Sequence, residues 1–215
     1  MNDILKFGLP LVPHTLGAIL ISLADRFIIT KLISVGDAGL YQAGIQISMA
    51  ILFVTDAFNK AYSPWLYSSL QKKSYELNLK IVRFTYIYFV LLLAAGTLMS
   101  LLPEGIFAWI LGEKFRSAKN YITWSSYAYV FNGMYLMVCN YIFYSEKTKY
   151  LAYITLPLGI VNILLSYYLT LRLGVIGASI SMCISYFLMF LLTWYASAKL
   201  VEMPWLSALK IFTKK

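Results

Sequence analysis

The chain has 215 residues, of which 60% are hydrophobic and only 13% charged, with a net charge of +9. Soluble domains carry about 25% charged residues, and the apolar runs here reach membrane-spanning length, so composition excludes an ordinary soluble fold. At about 20 apolar residues per span plus short connections, the length allows six helices and leaves no room for a separate soluble domain. The basic excess fits the flanks of helices on the cytoplasmic side, and the loops are too short for a nucleic-acid-binding module, so no nucleic-acid partner is expected.

The first predicted helix runs over residues 5–34. Pro10 and Pro13 each remove a backbone donor near its start and predict a kink. His14, the single histidine, follows them. A hydrogen bond to a carbonyl freed at the kink accounts for it, and a protonation or substrate role is the alternative. Thr15, Ala18, Ser22, Asp25, Arg26 and Ile29 then fall along one narrow polar stripe.

Gly36-Asp37-Ala38-Gly39 predicts a tight turn into a second helix over 40–70. There Gln42, Gln46, Met49, Phe53, Asp56 and Lys60 recur at four-three spacing and form one seam. Asp56 and Lys60 are an i,i+4 pair in the favoured order, and Asn59 and Ser63 widen the stripe. A charge at mid-bilayer costs about 2.5–3.5 kcal/mol on the lenient insertion scale, so Asp25, Arg26, Asp56 and Lys60 mark either a pathway or paired structural charges.

A basic loop over 71–80 leads to a third helix at 81–102, apolar all round. Phe107, Trp109 and Ile110 predict a short interfacial helix. The fourth span, 121–144, carries Asn132 and Asn140, eight residues apart, as interhelical glue or cavity lining. A fifth span covers 150–171 and a sixth 175–200, the latter opening with small residues suited to close approach. The tail, 203–215, reads as an interfacial cytoplasmic anchor.

Lys6, Lys72, Lys73, Lys80, Arg83, Lys147, Lys149 and Lys199 fall on one side together with the C-terminal lysines. Lys31, Lys114, Arg116, Lys119 and Arg172 fall on the other. The positive-inside rule then places both termini in the cytoplasm. Cys139 and Cys183 both lie inside apolar helices and read as core residues. No metal-ligand cluster, phosphate-binding G-x-x-x-x-G-K-[ST] loop or G-x-S-x-G elbow is present, so no metal, cofactor or enzymatic activity is expected. A membrane-bound transferase would need loop carboxylates.

Phe7-Gly8-Leu9-Pro10-Leu11-Val12-Pro13-His14-Thr15, Asp25-Arg26-Phe27 and Gly39-Leu40-Tyr41 to Gly44 resemble the seventh and eighth helices of bacterial polysaccharide (O-antigen type) flippases. Leu111-Gly112-Glu113-Lys114-Phe115 and Gly174-Val175-Ile176-Gly177-Ala178-Ser179 resemble later features of the same family, which belongs to the multidrug/oligosaccharidyl-lipid/polysaccharide exporter superfamily. The resemblance implies an all-α integral membrane protein, a six-helix bundle equivalent to one half of a twelve-helix flippase in the bacterial inner membrane. It implies export of undecaprenyl-pyrophosphate-linked oligosaccharide for surface polysaccharide such as O-antigen and lipopolysaccharide. By that likeness Arg26 and Lys60 face pyrophosphate or sugar, and Asp25 and Asp56 are partners or ion-coupling acids. Gln42, Gln46, Asn59 and His14 join the pathway. Half a transporter cannot enclose a cavity, so an N-terminal six-helix half or a homodimer partner is expected beside membrane lipid, and Met1 directly before family-like sequence suggests a split or truncated gene product. A drug or cation antiporter of the superfamily, or a scaffold for glycan assembly, is the alternative.

Overall fold

The computed structural model describes residues 6–113, 116 and 119–210. Helices are its only regular secondary structure among them. A short helical turn at 6–8 is interrupted at Leu9–Pro10 before α1, Leu11–Leu32, as a ring that removes a backbone donor requires. Then come α2 (Val35–Gln71), α3 (Tyr75–Leu101), α4 (Glu104–Leu111), α5 (Lys119–Tyr144), α6 (Lys149–Leu173), α7 (Val175–Leu200) and α8 (Trp205–Lys210).

Capping moves two boundaries away from the sequence expectation. The predicted turn at Gly36–Gly39 is already helical, because Ser34 Oγ accepts from the Asp37 amide at 3.0 Å and satisfies one of the free donors of α2. The reversal is confined to Ile33 and Ser34. Ser74 caps α3 in the same way, at 3.4 Å from the Leu77 amide, so the latter half of the predicted basic loop joins that helix. With 37 residues, α2 is about 55 Å long, well beyond a hydrocarbon layer of about 30 Å, so one end stands outside that layer. Neither Pro64 in α2 nor Pro157 in α6 interrupts its helix.

Among the described residues, five helices are long and apolar enough to cross a membrane: Lys6–Leu32, Val35–Gln71, Tyr75–Leu101, Lys149–Leu173 and Val175–Leu200. The expected sixth, α5, has comparable length but is not among them. Its Ser125, Ser126, Asn132 and Asn140 dilute its hydropathy, and most of it is buried between other helices. It packs mainly on α7, α2 and α3, while α1 lies along α6 and α6 along α7. Helix α5 is therefore the post of an all-α membrane bundle.

Without water to drive helices together, packing and small residues decide the contacts. Gly17 of α1 meets the Thr155–Leu156 backbone, and Gly159 meets Gly17 in return. Gly177 of α7 sits against the Leu169 carbonyl of α6, and Gly133 of α5 against Thr55 of α2. These are the small-residue positions of the opening of α7 and of the other spans, used as close-approach surfaces.

The short helix α4 exposes Trp109 almost completely. The tail differs from a simple surface anchor. Tyr86 donates to the Trp205 carbonyl at 3.1 Å, and the Trp205 ring packs against Tyr86, Tyr141 and Trp194. Trp205 thus pins α8 onto the bundle, while Leu206 faces outward. Residues 211–215, including Phe212, Lys214 and Lys215, lie outside the described residues, as do Lys114 and Phe115.

Candidate functional site

The helical hairpin of α1 and α2 sets the polar residues in layers. Asp25 and Tyr41 are each about two turns from the reversal at Ile33–Ser34, so they stand at equal depth on antiparallel neighbours. The Tyr41 hydroxyl donates to Asp25 Oδ2 at 2.9 Å. Asp25 is 1% exposed, and its Oδ1 has no hydrogen-bond partner among the described residues. Ser166 of α6 stands close to this carboxylate, its own hydroxyl unbonded.

Arg26 forms no ion pair with Asp25 among the described residues. One residue on, it points about 100° further round the helix. It is half-buried near the Tyr41 and Tyr129 phenols, with Nε unpartnered. Gln42 is also half-buried, and its Oε1 lacks a partner.

Asp56 and Lys60 belong to a different level. They pair at 2.7 Å, with 46% and 75% of their side chains exposed. Fifteen residues separate Tyr41 from Asp56, a rise of about 22 Å along α2. The structure therefore divides the four charges into two pairs of separate depth, a buried acid beside a half-buried arginine and an open ion pair. Around Asp56 the predicted seam is open: Gln46, Phe53 and Lys60 are exposed, and Gln42, Met49 and Asp56 partly so. The opposite side of α2, with Tyr41, Ser48, Thr55 and Tyr62, is the buried one.

Between α2 and α5 a ladder of polar contacts runs parallel to the helices. Ser48 bonds Ser125 at 2.8 Å and accepts from Ser126 at 3.2 Å. Three to four turns on, Asn140 donates to Asn59 at 2.7 Å and accepts from Tyr67 at 3.3 Å. Asn59 is thus held by a neighbouring helix. Asn132, half-buried on the same helix as Asn140, makes no hydrogen bond among the described residues. The two asparagines of α5 have separate roles, Asn140 as a tie and Asn132 as an open polar group.

His14 is likewise tied down. Its Nδ1 lies 2.8 Å from the Thr155 hydroxyl and its Nε2 3.4 Å from the Tyr135 hydroxyl. The ring bridges α6 and α5, so the kink carbonyl expected as its partner is not the one it uses. Tyr41, Tyr135 and Thr155 lie outside the set of site residues expected from sequence. Tyr41 was nevertheless readable, since it mirrors Asp25 across the reversal; the α5 and α6 partners of His14 depend on tertiary packing alone.

Among the described residues no group of three His, Cys, Asp or Glu side chains is placed to hold a metal. Cys139 and Cys183 are free and buried.

Residues 1–120 match the family model described as polysaccharide biosynthesis protein. The chain is 32% identical over 146 residues to “Lsg locus putative protein 1” of Haemophilus influenzae, an alignment covering 68% of this chain and 36% of the relative. It is 29% identical over 150 residues to an “Uncharacterized membrane protein” of the same organism, covering 70% of this chain and 37% of that protein. It thus spans little more than a third of the length of these curated relatives. No solved structure matches it. The family match over more than half the chain, together with the membrane-length helices beneath it, identifies this chain as a member of the polysaccharide biosynthesis protein family.

Proposed function

We propose that the chain forms one wall of a transporter that moves lipid-linked oligosaccharide, an undecaprenyl-pyrophosphate glycan, across the bacterial inner membrane. The observation that carries this reading is the open stripe of α2. Gln46, Asp56 and Lys60 face away from the chain's own bundle, on a helix of membrane-spanning composition. Left against lipid, such charges are costly, whereas against a wet cavity they are useful. A second six-helix body, on the same longer polypeptide or on another, completes the enclosure. Binding sites in such transporters lie between two bundles near the midplane.

In this reading Arg26, with free guanidinium donors, and Lys60 attract the pyrophosphate or sugar at two successive depths. Asp25 and Asp56 balance them or couple transport to an ion. The work is movement between leaflets, with both termini cytoplasmic, and no covalent chemistry is assigned to these side chains.

Complementation of a strain unable to export its lipid-linked glycan tests the reading. Rescue is expected when this chain is supplied together with an N-terminal six-helix half. Arg26→Ala and Lys60→Ala, made separately in that pair, are each expected to reduce export at normal protein level. Full export by both variants would remove the pathway assignment.

A further inference from the structure

We propose that the groove between α2 and α3 is a binding site for one anionic phospholipid, with an acyl chain along its aromatic floor and its phosphate on Lys80. The site is separate from the polar stripe and does not depend on the transport reading; it requires only that the bundle lie in a membrane. Phe58, Ala61, Tyr62 and Trp65 of α2 and Lys80 and Phe84 of α3 border a cavity of about 420 Å³.

The aromatic floor is rigid because its rings stack on one another. Phe58 lies over Tyr62 at 5.5 Å with 18° between planes, and Tyr62 over Phe84 at 5.8 Å with 24°. Phe84 and Trp65 keep 40% and 47% of their surface exposed, whereas Tyr62 is buried behind them. A hydrocarbon chain suits this floor, since dispersion contacts are lost wherever a packed surface lacks partner atoms.

The rim selects the headgroup. Lys80 stands where α3 passes from its polar first turns into its apolar run, the level at which lipid phosphates lie. It is exposed and makes no ion pair or hydrogen bond among the described residues. Glu76, one turn earlier, is exposed and unpaired with it, and is the one acid on the four-residue row leading to Lys80. Lys72 and Lys73 of the adjoining turn and Arg83 on the next turn of α3 keep the local field positive. Trp65, half exposed, has the amphipathic character of a residue at the membrane interface. Cations near the surface of an anionic leaflet favour acidic lipids over zwitterionic ones.

The protein purified in mild detergent, titrated with phosphatidylglycerol or with phosphatidylcholine of the same acyl chains, tests this by native mass spectrometry. One phosphatidylglycerol per chain is expected to be retained, with about fivefold preference over phosphatidylcholine, the effect of one lysine near a phosphate layer. Lys80→Gln should bring the two lipids to parity. Ala61→Trp, which fills the groove, should remove retention of both. Lys147→Gln, in a different turn at the same end of the bundle, should leave the preference intact. Equal retention of the two lipids by the unaltered chain, a preference that survives Lys80→Gln, or retention that survives Ala61→Trp would each overturn the proposal.

Discussion

A methyl group on Gly159 would stand 2.7 Å from the carbonyl oxygen of Gly17. The backbones of α1 and α6 therefore touch where these two glycines cross, and no other residue type fits without moving a helix. Gly159→Leu is expected to prevent formation of a folded, monodisperse protein, and Gly159→Ala to cost about 1–3 kcal/mol, the usual range for overpacking. Size-exclusion profiles and unfolding temperatures in one detergent check both. Gly39→Ala is the control, since open space surrounds that position.

The second prediction concerns the Asp25–Tyr41 bond. Tyr41→Phe removes the hydrogen-bond donor from a buried carboxylate and is expected to destabilise the bundle by about 1.5–3 kcal/mol, the range for bonds to charged groups. With Asp25→Asn in the background, the same tyrosine change should cost clearly less, because the acceptor no longer carries a full charge. Additive effects in this double-mutant cycle would show that the two side chains are not coupled.

Asn140 supplies the third. It links α5 to α2 through Asn59 and receives the Tyr67 hydroxyl. Polar ties between membrane helices average about 0.6 kcal/mol. A cycle of Asn140→Ala and Asn59→Ala should give a coupling energy of that order, read from equilibrium unfolding. Asn132→Ala, at a position with no such bond, should leave stability unchanged.

The fourth separates a pathway charge from a structural one. The Asp56–Lys60 pair is open to its surroundings, and exposed pairs contribute about 0–1 kcal/mol. Lys60→Ala is expected to leave unfolding temperature and yield within error while lowering glycan export by the complete transporter. A large loss of stability with normal export per folded molecule would make the pair structural.

Much of the fold could be read from the chain because apolar runs fix helices wherever a lipid layer is their solvent. The break before α1 follows from Leu9-Pro10, and the short α4 from a segment too poor in apolar residues to span. The errors fall where a single hydroxyl decides. Ser34 and Ser74 each cap a helix and convert a predicted loop or turn into its first turn. The polar and charged residues of the candidate site were legible by type but not by grouping. Asp25, Arg26, Asp56 and Lys60 look like one cluster in sequence, and only the length of α2 places the pairs at different levels. Tyr41 could have been anticipated by mirroring Asp25 about Ile33. The ties of His14 to Thr155 and Tyr135 could not, since they join residues 141 and 121 positions apart.

The burial of α5 has a consequence for biogenesis. Its Ser125, Ser126 and Asn140 find their partners on α2, which is made earlier, while much of its apolar surface is covered by α7, which is made later. Offered alone to the insertion machinery, α5 should partition poorly into lipid. Its full set of partners exists only once α6 and α7 have been made. The order of synthesis thereby becomes part of how this bundle closes.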